Sequence, residues 1–274
     1  MGRQRKVRRR PSRRPFWRRR GGVIAIAAAS IAVAAIVVGA ASLRADRAEG
    51  PALSAAIVDQ LSLTAPNPSF AEEAGELLAE AGYRVDYYPG EETTVDFYRG
   101  LPARGYDIVL FRNHAARRPE VLAERLPDEA ALFTSELYDR NRYVDDQDSL
   151  RLVKVSYPGA EEVFFGIRSD FIVSRMEGDF GGAVVILMGC DGLTTDRTAV
   201  ALVEKGAGAV IGWDGMVTAD HTDRATERLL RHLLIEGQTV EKAVEGTASE
   251  VGPDPAYGSV VKLYPPQAAA LTVR

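Results

Sequence analysis

Cysteine is nearly missing from this chain: Cys190 is the only one in 274 residues. One thiol cannot form an internal bridge, so a disulfide scaffold is excluded. Cys190 must be free, bound to a partner chain, or protected by burial. Acid is missing from residues 1–20, which hold eleven Arg or Lys. Charge of either sign is missing from Gly21 to Leu43. Histidine is scarce as well, with only His114, His221 and His232. The cluster Asp220-His221-Thr222-Asp223 has metal-ligating chemistry but no third ligand segment, so neither a metal nor another cofactor is expected. No internal repeat or long low-complexity tract is present.

The uncharged stretch 21–43 is long enough, as a helix, to cross a hydrocarbon core of roughly 30 Å. Basic residues 1–20 before it, and Arg44, Asp46, Arg47 and Glu49 after it, predict a start inside and a body outside. The expectation is a single-pass signal anchor that contacts the lipid bilayer. The alternative is an exported protein cleaved near Ala40, because Ser12-Arg13-Arg14-Pro15-Phe16-Trp17-Arg18 resembles a twin-arginine signal. Residues 44–53 read as a polar linker with a break at Gly50-Pro51, and 54–274 as one domain.

Net charge supports the outward placement. The whole chain carries 34 basic and 38 acidic residues, a charge of −4. Without the eleven basic residues of the tail, 23 remain against 38 acids, which is near −15. Such an acidic body argues against nucleic-acid binding. The roughly 230 residues beyond the span suffice for one sizeable core.

Strand and helix signals alternate along that body. Strands are expected at Ala55–Val58, Arg84–Tyr88, Asp107–Phe111, Val184–Met188, Ala209–Ile211 and Ser259–Tyr264. A helix is expected from Ser69, where Ser69 and Glu72 have capping-box spacing, up to the stop at Gly82. Further helices are expected over Thr94–Arg104, Ser169–Glu177, Asp196–Lys205, Thr222–Glu236 and Thr239–Glu250. Leu150–Tyr157 and Glu162–Ile167 flank Pro158-Gly159 as a β-hairpin. Ala130–Thr134 reads equally as strand or helix. The pattern predicts an α/β fold with a mainly parallel sheet of five or six strands and helices on both faces.

Two apolar runs end at reactive side chains. Tyr106 to Phe111 closes just before His114, and Ala183 to Met188 leads into Gly189-Cys190-Asp191-Gly192. Open α/β sheets place ligands and nucleophiles at the carboxyl ends of strands. The competing reading of Cys190 is a small core thiol. Gly189 and Gly192 would let the chain turn sharply and a substrate backbone come close. Equally, they could serve a strand-to-helix turn that meets no substrate.

These blocks, the hairpin between them, and the run Gly206-Ala207-Gly208-Ala209-Val210-Ile211-Gly212-Trp213 before a long helix resemble the caspase-like (clan CD) cysteine peptidases. Within that family they are most similar to the CHAT-type prokaryotic branch, over roughly residues 54–264. The resemblance implies a peptide or protein substrate, with Cys190 as nucleophile and His114 as general acid and base. It implies an oxyanion site at the N–H groups of Cys190 and Ala115. The family usually has glycine where Ala115 stands, which also fits an inactive member kept as a membrane-anchored binding or scaffolding domain.

Asp191 flanks the thiol and Asp214 follows the fifth strand, near where the resemblance implies a specificity pocket; acidic residues there would suit an arginine or lysine of the substrate. Each would serve equally as a cap for a turn. Trp213 would wall the pocket or pack in the core. His221 is the alternative base for Cys190, as in glutamine-amidotransferase-like folds, with Asp220 as a helix cap. The sequence leaves the oligomeric state open.

Overall fold

The computed structural model describes residues 52–117, 128–157 and 160–273. The expected membrane segment 21–43, the tail before it and Pro158-Gly159 lie outside these residues. Among the described residues no helix is long and apolar enough to cross a membrane. Residues 52–274 form one compact unit.

Among the described residues ten strands and seven α-helices follow one another along this unit. They begin with β1 (Ser54–Asp59), α1 (Pro68–Glu80), β2 (Arg84–Pro89), α2 (Val95–Gly100), β3 (Ile108–Arg112), β4 (Ala115–Arg117) and β5 (Ala130–Leu137). Next come α3 (Val144–Asp148), β6 (Leu152–Val155), β7 (Phe164–Ile167), α4 (Ser169–Arg175), β8 (Val184–Leu187) and α5 (Arg197–Glu204). The chain finishes with β9 (Ala209–Trp213), α6 (Ala219–Leu230), α7 (Val240–Val251) and β10 (Val261–Tyr264). A π-helical turn, Arg231–Ile235, extends α6.

The large sheet has the order β10-β9-β8-β3-β1-β2. Five strands are parallel, and β10 pairs antiparallel with β9 at one edge. The α/β class and the mainly parallel sheet are therefore as expected from the sequence. A second sheet, order β4-β5-β7-β6, is antiparallel throughout. It includes the expected hairpin, and it settles residues 130–137 as a strand.

Alternation within the strands sends side chains to two cores. Ala56, Val58, Val109, Phe111, Val185 and Leu187 face α2, α4, α5 and the small sheet. Ala55, Ile57, Ile108, Leu110, Val184 and Ile186 face α1, α6 and α7. Both faces of the central strands are thus dry, which explains their near-continuous apolar runs. Helices cover both faces of the large sheet.

Two helix starts differ from expectation. The cap of α1 is Asn67, whose Oδ1 accepts the Phe70 N–H at 3.2 Å, with Pro68 as the first helical residue. Proline suits that position because its missing N–H would go unpaired there, so the Ser69–Glu72 capping box does not form the helix start. Likewise α6 is preceded by Thr218, and Asp220 lies within its first turn. The expected helix 94–104 divides into α2 and a 3-10 turn, Pro102–Arg104, closed by Gly105 at φ 71°.

Candidate functional site

His114 and Cys190 stand at the carboxyl ends of adjacent parallel strands, β3 and β8, on one rim of the large sheet. The Met188 N–H donates to the Phe111 carbonyl at 2.9 Å, carrying the pairing past the end of β8. Gly189 then lies directly against the segment that holds the histidine. A Cβ placed on Gly189 would sit 2.4 Å from the Asn113 carbonyl oxygen and 3.3 Å from the Ala115 nitrogen. Only glycine fits so close to that backbone.

Ala115 is where the chain leaves the large sheet for the small one. It pairs with Leu132, while the Phe133 N–H donates to the His114 carbonyl at 3.0 Å. Antiparallel strands alternate hydrogen-bonded and non-hydrogen-bonded pairs, so Ala115–Leu132 is of the second kind. Its N–H therefore points away from β5, towards the Gly189 turn. Ala115 is buried.

The imidazole of His114 is held by residues that follow β1. Thr64 Oγ1 lies 2.9 Å from the ring nitrogen Nε2, while Gln60 Oε1 accepts the backbone N–H of His114 at 2.9 Å and so fixes the main chain beneath the ring. The ring packs 5.0 Å from that of Tyr157 and 5.8 Å from that of Phe133. Burial, then the neighbouring Arg112 charge, lowers its pKa below the ordinary 6.5. The ring is thus neutral at pH 7.

Arg112 anchors this corner. It is fully buried and donates to Asp59 Oδ1 at 2.8 Å, to both Asp223 oxygens at 2.8 Å, and to the Ala65 carbonyl at 2.8 Å. Asn67 Nδ2 also donates to Asp223 Oδ2 at 2.9 Å. One guanidinium thus ties β1, β3, α6 and the start of α1 together.

The sulfur of Cys190 is half-buried and turned towards the loop after β9. It accepts the Val217 N–H at 3.4 Å and faces the Val217 carbonyl at 3.6 Å. Trp213, Val217 and Ala225 pack around it. Burial pushes the thiol pKa above its ordinary 9.0, the Val217 N–H opposes this, and the Asp191 charge raises it further. The thiol is therefore protonated at neutral pH.

Asp254 fixes the Val217 loop. Its oxygens accept the N–H and hydroxyl of Thr218 and the N–H groups of Ala256 and Tyr257, at 2.8–2.9 Å. Burial alone would raise its pKa, but these donors outweigh it and hold the carboxyl below its usual range. The Ser259 hydroxyl adds a bond to the Met216 carbonyl at 2.6 Å.

The structure thus brings Cys190, Gly189, Ala115 and His114 to one rim, but leaves the dyad open. No hydrogen bond joins sulfur and imidazole among the described residues. In the strand order β9-β8-β3-β1, Cys190 reaches outward to the loop after β9 and His114 to the loop after β1. The other candidates have partners of their own. Asp191, at φ 61°, accepts the Thr194 hydroxyl at 2.8 Å and donates its N–H to the Gly215 carbonyl. Asp214 accepts the Val260 N–H at 2.8 Å and pairs with Lys262 at 2.9 Å. Both carboxylates are therefore engaged within the chain, as turn and strand caps.

Trp213 is buried and gives its indole N–H to Thr222 Oγ1 at 2.9 Å. His221 is buried as well, with Nε2 3.2 Å from the Gly252 carbonyl and its ring 5.3 Å from that of Trp213. A Cβ on Gly192 would come within 3.1 Å of Leu187 Cβ, so this glycine permits close turn packing. Among the described residues no group of three or more His, Cys, Asp or Glu is placed to hold a metal ion. Thr64 and Gln60, about fifty residues before the histidine, escaped sequence reading. The signal that would have found them is their place just beyond the carboxyl end of β1.

Compared with known proteins, this chain matches no family model and no curated sequence. The architecture of the described residues is that of an α/β domain with a mainly parallel six-stranded sheet and a small antiparallel sheet inserted after its third strand in chain order.

Proposed function

We propose that this protein is a membrane-anchored, extracytoplasmic cysteine peptidase of caspase-like, CHAT type, with Cys190 as nucleophile and His114 as general acid and base. The observation that carries the reading is the contact of Gly189 with residues 113–115. It sets the thiol and the imidazole on neighbouring strand ends and turns the Ala115 N–H towards the nucleophile's turn. The large-sheet order, with its antiparallel edge strand, fits the same reading.

In the proposed cycle Cys190 turns away from Val217 as a substrate carbonyl arrives. His114 takes the thiol proton while sulfur attacks, and returns it to the departing amine. The N–H groups of Cys190 and Ala115 hold the developing oxyanion. Water then hydrolyses the acyl-enzyme, with His114 again taking and returning the proton. A neutral thiol beside a neutral imidazole suits a base-assisted attack rather than a standing ion pair.

A second reading has its own support. The sulfur's contacts with Val217, its raised pKa and the methyl group of Ala115 also fit a domain that kept the fold as a membrane-tethered scaffold. Turnover decides between the two. With the full chain in detergent and a library of peptide amides, Cys190→Ser should abolish cleavage and leave the melting temperature nearly unchanged. Absence of cleavage by the wild type, or a large stability loss in Cys190→Ser, would favour the scaffold with a packing thiol.

A further inference from the structure

Outside the candidate site, the large sheet ends in an open edge at β2. Among the described residues β2 has no strand on its outer side. The Arg84 N–H donates to the Leu53 carbonyl at 2.9 Å, and β2 runs parallel to β1 in register Arg84 with Ser54. Residues 84, 86 and 88 therefore turn their backbone groups towards β1, and Val85 and Tyr87 turn theirs outward. Beside this edge lies an open, mainly apolar groove of about 710 Å³, floored by Ala71, Gly75 and Ala79 of α1 and walled by Tyr83, Val85 and Tyr87. Tyr87 is 44% exposed.

We propose that the occupant of this edge is a second copy of the same chain, paired antiparallel through β2 about a twofold axis at Val85. The sequence of the strand is self-complementary about that residue. Val85 meets its own mate, and their outward N–H and C=O groups exchange two hydrogen bonds. Arg84 of each chain then faces Asp86 of the other on one side of the sheet. Those two side chains, 61% and 29% exposed, already pair within one chain at 2.7 Å, so their opposite charges are within reach of the edge.

On the other side of the sheet Tyr87 of each chain faces Tyr83 of the other. Its N–H donates to the Tyr83 carbonyl, while the Tyr83 N–H stays with Leu78. The two grooves merge across the axis, and the exposed Tyr87 rings fill them over the small residues of α1, beside the buried Tyr83. Edge strands are commonly kept from pairing by charged side chains, lysine above all, or by proline. This one carries opposite charges two residues apart, and its only proline, Pro89, stands at its end. Isologous contacts of this kind close after two copies.

The test uses the full chain in detergent. Sedimentation should give two chains per particle for the wild type, one for Arg84→Asp, and two again for Arg84→Asp with Asp86→Arg. In a Cys190→Ala background, Val85→Cys should form a reducible covalent dimer. The mates of a hydrogen-bonded pair stand about 5.5 Å apart at Cα, within disulfide range. Lys242→Cys, exposed on α7, should not crosslink to that extent. A single-chain wild type, an Arg84→Asp variant that stays paired, or Val85→Cys crosslinking no better than Lys242→Cys would overturn the proposal. Capture of an extended peptide by a single-chain wild type would assign the edge to a peptide instead, and would also overturn it.

Discussion

Gly189 is the residue that seats the Cys190 turn against the segment holding His114. Its Cα lies so close to the Asn113 carbonyl that any side chain must push β3 and β8 apart at the rim. Gly189→Ala is expected to cost about 1–3 kcal/mol, as overpacking does, and to slow modification of Cys190. Calorimetry together with thiol labelling would check this; a variant as stable and reactive as the wild type would show that the rim is not tightly set. The pH dependence follows from the histidine. Its folded pKa is lowered below 6.5, so the folded state releases this proton more readily than the unfolded chain. The associated stability is therefore complete above about pH 6.5 and lost as pH falls through the folded value. Activity should likewise hold steady through neutral pH, with its acid limb below 6.5; an acid limb above 7 would assign the limiting base to another group.

The shared rim of Cys190 and His114 was legible because each residue closes an apolar run, and a buried strand delivers whatever follows it to the rim. The partners of His114 were not. Thr64 and Gln60 reach His114 across about fifty residues, through a short 3-10 segment with no periodic signal. The expected role of Asp191 and Asp214 in a substrate pocket illustrates the opposite difficulty. A carboxylate beside a turn reads the same whether it awaits a substrate cation or satisfies its own backbone, and here both accept bonds from nearby groups.

At the scale of elements, the buried Arg112 holds the rim together. It links the ends of β1 and β3 to α6 through Asp59 and Asp223. Arg112→Ala leaves two buried carboxylates without their cation and is expected to cost about 3–5 kcal/mol, read as a lowered denaturation midpoint at unchanged slope. A loss under about 1 kcal/mol, the range of surface pairs, would show that solvent reaches this cluster. The apolar strands β1, β3, β8 and β9 were readable from composition because both their faces are covered. The small sheet was less so. With only three residues, β4 is too short for a period, and β5 is buried along most of its length, which hides the alternation that separates strand from helix. The start of α1 was misplaced because Ser69 and Glu72 imitate a capping box, whereas Pro68 fixes the first turn and passes the capping role to Asn67.

At the scale of the whole molecule, the sequence pairs a basic start and an uncharged stretch with an acidic body of opposite character. The proposed topology predicts that the chain stays in the membrane fraction after alkaline washing, and that protease added to intact cells reaches residues 54–274 but not an N-terminal tag. Release by the wash, with a shortened chain, would point instead to cleavage near Ala40. Such a placement suits a lone thiol held protonated and sheltered between Val217 and Trp213.

The most direct measurement is the rate at which a peptide bearing a thiol-directed electrophile labels Cys190 in the full chain, with and without His114. The dyad predicts labelling that vanishes in Cys190→Ala and falls about 100-fold or more in His114→Ala, the scale of lost general-base assistance. Equal labelling rates in the wild type and His114→Ala would contradict it, leaving an α/β domain with a passive thiol.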